Sequence, residues 1–241
     1  MRKGSKGIFV TGTDTGVGKT IISAALALTL KEEGLDVGVM KPIESGALPS
    51  KEGLLPQDAL FLREVSGVKD PLELLNPYRF EAPLAPAPAS SLVGKEIDLE
   101  KIKEAFHKLS SRHQVVVVEG VGGLLVPLSD KVLLPQLIKL LGIPLLLVAR
   151  ASLGTINHTL LSLYYCKREG MKVIGFILNR SSDEDDPSQR DNPHYISLFT
   201  DIPYLGTFPF LKGRSTRNPS SLSQAFREGI DLSFILDALG A

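Results

Sequence analysis

Apolar residues occur along the chain in short continuous runs, and segments with helical spacing separate these runs. Because the runs are continuous rather than alternating, the strands they form are expected to be buried on both faces. Strands that alternate with helices are typical of a parallel sheet covered by helices on both faces. The sequence therefore predicts an α/β fold with a doubly wound, mainly parallel sheet, in a single domain spanning residues 1–241. The predicted strands are 7–11, 36–40, 115–118, 143–149, 173–178 and, with a weaker pattern, 204–208.

Several helical segments carry residues that mark their ends. Gly34 follows the first helix, where a glycine favours a left-handed C-terminal cap. Asp98 is placed to cap the N-terminus of the helix that follows it. Ser221 with Gln224 has the spacing of a capping box. The predicted helices are 18–33, 57–66, 98–111, 134–141, 155–169, 193–200 and 221–238.

Three segments lack a regular pattern. Residues 43–56 are rich in Gly, Pro and Ser, and residues 76–97 contain four prolines. Long irregular segments within a compact domain are usually functional loops or disordered. Residues 181–193 are polar and highly charged, so we expect a solvated loop there.

Composition narrows the possible classes of function. The chain has 241 residues, of which 43% are hydrophobic, with 27 basic and 27 acidic side chains. A net charge of zero leaves no electrostatic footprint for nucleic acid or for an acidic membrane. The most apolar stretch, residues 132–148, is broken by polar residues and prolines and does not predict a membrane span. The only cysteine, Cys166, lies in a helical run and is expected to be a structural thiol. With no signal-peptide pattern, we expect a cytoplasmic protein.

The most informative motif follows the first strand. Residues 12–20 are Gly-Thr-Asp-Thr-Gly-Val-Gly-Lys-Thr, and an apolar helix begins there. A glycine-rich turn between a strand and a helix that opens on Gly-Lys-Thr predicts a phosphate-binding loop for a nucleoside triphosphate and Mg²⁺. Lys19 would reach the β- and γ-phosphates, and the Thr20 hydroxyl would bind Mg²⁺. Thr13 stands where the usual pattern has its first glycine, so a purely structural turn is the competing interpretation.

Polar residues also follow other predicted strands, and ligands bind beyond the carboxyl ends of strands in open parallel sheets. Glu119 ends the valine strand, where it could hold Mg²⁺ or cap the glycine turn that follows. Lys41 could meet a phosphate, although a surface lysine before a turn fits equally well. Asp58 could be a second Mg²⁺ ligand, but its position alone favours a helix-terminal charge.

Residues 153–158 begin a helix after the strand 143–149. The free N–H groups of this turn could bind a carboxylate or a phosphate. His158 could serve as an acid or base, although a histidine at a helix terminus more often has no chemical role. The remaining histidines show no metal-ligand spacing, and the sequence has no zinc, haem or Ser-His-Asp pattern.

Taken together, these motifs resemble the dethiobiotin synthetase family, the ATP-dependent carboxylases of biotin synthesis. The resemblance extends from the first strand to about residue 210. The Gly-Thr-Asp-Thr form of the loop is fairly specific, and its combination with the other motifs is more so. The motifs are residues 12–20, Lys41-Pro42-Ile43-Glu44-Ser45-Gly46, Asp58-Ala59, Val118-Glu119-Gly120-Val121-Gly122-Gly123 and Gly154-Thr155-Ile156-Asn157-His158.

The resemblance implies a reaction of 7,8-diaminononanoate with CO₂ and MgATP that gives dethiobiotin, ADP and phosphate. In this family, one amine takes up CO₂ as a carbamate, ATP phosphorylates the carbamate, and the second amine closes the ureido ring. The reaction brings two anions together, so it needs cations and N–H donors more than a strong base. The resemblance also implies a homodimer in which the partner subunit binds the carboxylate tail of the substrate.

The resemblance assigns roles to individual residues. The implied catalytic residues are Thr15, Lys19, Lys41 and Ser45. The implied Mg²⁺ ligands are Thr20, Asp58 and Glu119. The implied ATP contacts are Gly16, Val17, Gly18, Lys19, Thr20, Ile21, Asn179 and Pro209. The implied substrate contacts are Thr15, Lys41, Ser45, Gly122, Gly154, Thr155 and Asn157.

Two residues and one segment depart from the family pattern. Gly16 stands where some members carry an acidic residue. Arg180 replaces the Asp that can follow the adenine-reading residue, Asn179. Residues 83–87 are Pro-Leu-Ala-Pro-Ala, where a familiar version has Pro-Thr-Ser-Pro-His, so no contact is carried over to this segment.

Other classes of protein share the expected fold. Cobyrinic acid diamide synthases carry a glutamine-hydrolysing domain with a nucleophilic cysteine, for which 241 residues leave little room. Partitioning ATPases carry a second Lys early in the loop, where this chain has Asp14, and tend to end in an amphipathic membrane helix. The C-terminal run 226–239 has three acidic residues and no basic face, which argues against membrane binding. A member that binds nucleotide without turnover would not be expected to keep Lys19, Thr20 and Glu119.

Overall fold

A computed structural model describes residues 6–183 and 186–241. The strands are β1 (Gly7–Gly12), β2 (Val37–Met40), β3 (Ile43–Ser45), β4 (Leu48–Ser50), β5 (Gly53–Leu55), β6 (Tyr78–Phe80), β7 (Val115–Glu119), β8 (Leu145–Arg150), β9 (Val173–Asn179) and β10 (Tyr204–Phe208). The helices are α1 (Lys19–Glu32), α2 (Gln57–Ser66), α3 (Leu72–Leu75), α4 (Pro86–Leu92), α5 (Leu99–Arg112), α6 (Leu134–Leu141), α7 (Thr155–Arg168), α8 (Ser188–Leu198), α9 (Pro219–Gly229) and α10 (Ser233–Leu239). A short 3₁₀ helix spans Gly213–Arg217.

Six strands form one parallel sheet in the order β10-β9-β8-β1-β7-β2, with helices around it. The central strand β1 pairs on one side with β7 and on the other with β8, so Val10 lies between Glu119 and Leu146. All residues of β1 and β7 are buried, as the continuous apolar runs predicted. The register brings the carboxyl ends of these strands to one edge, where the phosphate loop begins. The predicted parallel α/β sheet is therefore confirmed.

The predicted strand and helix positions are confirmed within a few residues for most elements. Strand β8 begins at Leu145 rather than at residue 143. Residues 143–144 precede the strand, and the Pro144 carbonyl accepts the Phe9 N–H. Asp98 caps α5 by accepting the Glu100 N–H at 2.9 Å. Gly34 has a φ of 86° just after α1, which is the left-handed conformation predicted for it.

Two helix predictions are wrong in their boundaries. The predicted helix 193–200 begins at residue 188 as α8, and Pro193 lies inside it. The predicted helix 221–238 is two helices, α9 and α10. They are separate because Ile230 bridges to Gly206 of β10, and the Asp231 N–H donates to the Leu205 carbonyl. This short segment covers the edge of the sheet, where unpaired backbone groups would otherwise be exposed.

The predicted capping box is also wrong. Asn218 caps α9, and its side-chain oxygen accepts the Ser221 N–H at 3.0 Å. Pro219 occupies the first turn of the helix, a position that tolerates the missing N–H. The Gln224 side chain instead donates to Glu228 one turn further along.

The irregular segments contain short elements. Residues 43–56 include β3 and the β4–β5 hairpin, and residues 76–97 include β6, which pairs in parallel with β3, and α4. The predicted loop 181–193 is helical from residue 188 onward, so that part of the prediction is wrong. Residues 184–185 lie outside the described residues.

Cys166 is fully buried within α7, and burial raises the pKa of its thiol to about 12. This confirms the prediction of a structural cysteine, because a thiol with such a high pKa carries almost no thiolate at neutral pH. Within the described ranges, no helix is long and apolar enough to cross a membrane.

Candidate active site

A cavity of about 940 Å³ opens at the carboxyl ends of β1, β2 and β7. Its lining includes two lysines, Lys19 and Lys41, and the carboxylates of Asp58 and Glu119. The lining also includes the apolar residues 83–86 and 124–126 and four side chains of α7. A lining of this composition suits a ligand that has both anionic and apolar parts.

The phosphate loop depends on glycine at the point where α1 begins. Gly18 precedes the helix with a φ of 97°, and a Cβ at this position would lie 2.1 Å from the Asn179 Nδ2. Asn179 comes from the end of β9, and the same amide nitrogen donates to the Val17 carbonyl at 2.9 Å. The loop is therefore tied to a strand two positions away in the sheet, and only glycine leaves room for this contact.

Lys19 is buried, and its Nζ donates to the Asp14 carbonyl of the same loop at 2.9 Å. Burial, and after it the charge of Lys41, lower the pKa of Lys19 to about 8, although nearby carboxylates oppose the shift. The amine still carries its proton for most of the time at neutral pH. An anion placed in the loop would stabilise that charged form further.

A cluster of charged side chains joins the ends of β2 and β7, with Lys41 and Glu119 buried and Asp58 partly exposed. The Lys41 Nζ donates to Glu119 Oε1 at 2.5 Å and to the Gly120 carbonyl at 3.0 Å, and lies 3.2 Å from Asp58 Oδ2. The Thr20 hydroxyl donates to the same Glu119 oxygen at 2.8 Å. Four of the predicted site residues thus form one set of contacts, although they come from α1, α2, β7 and the residue that follows β2.

Charge and burial oppose each other in this cluster. Burial lowers the pKa of Lys41, but Glu119 and Asp58 outweigh burial and hold that pKa above its usual value. Burial raises the pKa of Glu119, and the attraction of Lys41 opposes the rise without cancelling it. The Lys41 ammonium has three oxygen partners, whereas Glu119 Oε2 is buried and has no hydrogen-bond partner within the described ranges. Lys41 is therefore cationic at neutral pH.

Two buried residues that the sequence did not assign support this cluster. The Glu44 carboxylate accepts the Asp58 N–H at 2.9 Å and the Ala59 N–H at 3.0 Å, and so fixes the start of α2. The Asn76 side chain donates to the Lys41 carbonyl at 2.7 Å. Glu44 lies within a motif that the sequence singled out, but neither residue has a local pattern that reveals its distant backbone partner.

The structure brings most of the implied site residues to the cavity, while six lie elsewhere. Val17 is buried beneath the loop, and the Thr155 hydroxyl contacts Thr159 inside α7. His158, Leu161 and other residues further along α7 line the cavity instead. The implied residues that line it are Thr15, Gly16, Gly18, Lys19, Thr20, Ile21, Lys41, Ser45, Asp58, Glu119 and Gly122. Those outside its lining are Val17, Gly154, Thr155, Asn157, Asn179 and Pro209.

Comparison with known proteins agrees with this geometry. A family model described as an AAA domain matches residues 6–217. An ATP-dependent dethiobiotin synthetase BioD from Anaeromyxobacter sp. (strain K) is 48% identical over 205 residues, which cover 85% of this chain and 90% of the relative. The enzyme of the same name from Bacillus licheniformis is 41% identical over 235 residues, which cover 97% of each chain. The chain belongs to the dethiobiotin synthetase family.

Solved structures support the fold of this dethiobiotin synthetase family member at a greater distance. A ParA family ATPase from Chlorobium tepidum is 16% identical, with a TM-score of 0.52, and the match covers 94% of this chain and 92% of that one. A MinC:MinD cell division complex from Aquifex aeolicus contains a chain that is 16% identical, with a TM-score of 0.53, covering 92% of this chain and 86% of that one. At such low identity the likeness concerns the fold alone.

Proposed function

We propose that this protein is a dethiobiotin synthetase, which uses ATP and CO₂ to carboxylate 7,8-diaminononanoate and to close the ureido ring. The observation that carries the proposal is the contact of Lys41 with Glu119 and Asp58 beside Lys19, in a cavity that is also lined by apolar residues. Family membership supplies the substrate, and the cavity supplies the cations that two approaching anions require. The protein is proposed to be cytoplasmic and to fold as a single domain.

The residues of the cluster fit a Mg²⁺ ion. Glu119 Oε2 is buried and has no partner among the described residues, the Thr20 hydroxyl contacts the other Glu119 oxygen, and Asp58 adds a carboxylate on the far side of the Lys41 contact. Hard oxygen ligands of this kind suit Mg²⁺. We propose that Thr20, Asp58 and Glu119 hold the ion, which when bound offsets the negative charge of the β- and γ-phosphates.

The two lysines would then organise the reacting anions. One substrate amine combines with CO₂ to form a carbamate and releases a proton. A carbamate oxygen attacks the γ-phosphorus, and ADP leaves. The second amine attacks the carbonyl carbon, phosphate leaves, the amine releases a proton, and the ring closes. Lys19 would contact the phosphates and Lys41 the carbamate, with Thr15 and Ser45 at the edges of the same space.

The outer parts of the substrates have candidate contacts of their own. Asn179 has a second amide hydrogen besides the one given to Val17, and its carbonyl oxygen can accept, so it could bond both N7 and the N6 amine of adenine. Pro209, which follows β10, would lie against the base. The apolar residues that line the cavity would hold the alkyl chain of diaminononanoate.

The carboxylate tail is proposed to bind at a partner subunit in a homodimer. Gly154, Thr155 and Asn157 do not line the cavity of their own chain, which favours a role toward a neighbouring copy. Gly154 and Asn157 are exposed at the start of α7, so their free N–H groups and amide are accessible to such a ligand.

The proposal is tested by following ADP and dethiobiotin with Mg²⁺ and bicarbonate, in the presence and absence of 7,8-diaminononanoate. We expect ADP release that depends on the diamine and matches the dethiobiotin formed. Lys19→Ala should abolish both products, whereas Lys139→Ala, a change in a surface pair on α6, should leave them unchanged. If the rate of ADP release is the same with and without the diamine, the proposed substrate is wrong. If Lys19→Ala keeps full activity, the proposed role of the phosphate loop is wrong.

A further inference from the structure

Arg150 ends β8 beside the start of the phosphate loop. The register pairs Gly12 with Val148, and the Thr13 N–H donates to the Val148 carbonyl at 3.0 Å. From this position the Arg150 Nη2 reaches Asp14 Oδ2 at 3.0 Å. A cation on a neighbouring strand is thus in contact with the third residue of the loop, although neither residue was assigned a role by the sequence.

Asp14 contacts other residues through both carboxylate oxygens and through its main-chain carbonyl. Its other carboxylate oxygen accepts the Thr15 N–H at 2.7 Å, which removes one donor from the set available to a phosphate. Its main-chain carbonyl accepts the Lys19 Nζ. The residue therefore sets both the direction of a loop amide and the resting position of the phosphate-binding lysine.

The charge of Asp14 is unfavourable for the ligand of this loop. The cavity lining contains four carboxylates, those of Asp14, Glu44, Asp58 and Glu119, against the two lysines. Lys41 is already in contact with Glu119 and Asp58. A triphosphate entering the loop would meet Asp14 as a like charge, and this repulsion costs affinity unless a cation offsets it.

We propose that Arg150 is a positioning residue for triphosphate binding. Its guanidinium neutralises Asp14 and holds the Asp14 carboxylate away from the phosphates. The inference rests on the proposed function only in requiring that the loop binds a nucleoside triphosphate. Arg150 is about one-third exposed and Asp14 about half exposed, at 37% and 55%. An ion pair so accessible to solvent contributes little to folding, so a variant that lacks Arg150 should stay folded and its MgATP affinity can be measured.

The test measures MgATP binding by calorimetry at low and high ionic strength. Arg150→Gln should weaken binding about tenfold at low salt, and high salt should reduce that loss because it screens the charge of Asp14. Asp14→Asn alone should bind MgATP at least as well as the wild type. The double variant, Arg150→Gln with Asp14→Asn, should recover affinity to within about twofold, and Arg150→Lys to within about threefold.

A matched control removes the same charge elsewhere. Arg168→Gln lies at the exposed far end of α7 and should leave MgATP binding unchanged. The melting temperature of Arg150→Gln should fall by no more than about 3 °C, since the pair is exposed.

Two results would overturn the inference. If the double variant binds as weakly as Arg150→Gln, then Arg150 acts through shape or through direct phosphate contact and not through Asp14. If Arg150→Gln binds like the wild type, the pair has no effect on the ligand. If the variants show the expected affinities but the wild-type protein does not convert the diamine, only the proposed function is refuted. If the wild-type protein does not bind MgATP, both the proposed function and this inference are refuted.

Discussion

Replacing Lys41 with methionine tests the cluster of charged side chains most directly. The change removes the ammonium but keeps most of the side-chain volume. Lys41 and Glu119 are almost fully buried, with exposed fractions of 4% and 1%. In Lys41→Met, the Glu119 carboxylate loses its cation and keeps the Thr20 hydroxyl as a partner. An ionised carboxylate in that position is strongly disfavoured.

The expected loss of stability follows from the burial of the pair. Removing one partner of a buried ion pair typically costs about 3–5 kcal/mol of unfolding free energy, from a total of about 5–15 kcal/mol. The cost depends on pH, because the buried Glu119 already has a raised pKa and loses the cation that opposed the rise. The folded-state pKa then lies above the unfolded value. The loss is therefore small below about pH 4.5 and grows with rising pH by up to about 1.4 kcal/mol per unit.

Urea unfolding at about pH 5 and about pH 8 measures this dependence. Lys41→Met should show the larger deficit at the higher pH. Adding Glu119→Gln should recover most of it, since the double variant buries no unpaired charge. Lys139→Met breaks the pair with Glu169, in which both side chains are substantially exposed, and should leave the unfolding free energy almost unchanged. Equal deficits at both pH values, with no recovery in the double variant, would refute the electrostatic account and point to packing.

Three further predictions concern other parts of the molecule. His113 lies between Asp36 and Asp70, which raise its pKa against the opposing effect of burial, so His113→Gln should lose more unfolding free energy at about pH 6 than at about pH 9. An equal loss would contradict this. Gly18→Ala should weaken MgATP binding at least about tenfold, because the added Cβ would lie 2.1 Å from the Asn179 Nδ2. Unchanged affinity would count against the loop geometry. Asn157→Ala should raise the KM for diaminononanoate about tenfold and leave that for ATP unchanged, whereas parallel changes would exclude a tail-binding role.

The sheet was predictable because burial of both faces leaves a continuous apolar run in the sequence. The order of the strands was not, since no local pattern records that β1 lies between β7 and β8. Helix ends were less predictable where tertiary contacts decide them. The break between α9 and α10 depends on a bridge to β10, and the early start of α8 was obscured by Pro193.

The candidate site was predictable in its membership more than in its contacts. The rule that ligands bind at the carboxyl ends of strands placed Lys19, Lys41 and Glu119 at one edge of the sheet, and only the family resemblance added Asp58 to them. From the sequence, each of these residues was expected to bind a phosphate or a metal, and no pattern indicated that Lys41 contacts both carboxylates. Supports such as Glu44 bind distant backbone groups, which leave no trace in local spacing.

The central position of β1 has a consequence for synthesis of the protein on the ribosome. Its first partner in the chain is β7, and Gly7 pairs with Val116, more than 100 residues later. At about 5–20 residues per second, this strand, all of which is buried in the folded protein, is synthesised roughly 5–20 s before either neighbour. During that interval it can pair only with the wrong partner or with a chaperone. The nascent chain should therefore depend on chaperones until translation has passed β8, and slow folding is expected of the sheet as a whole.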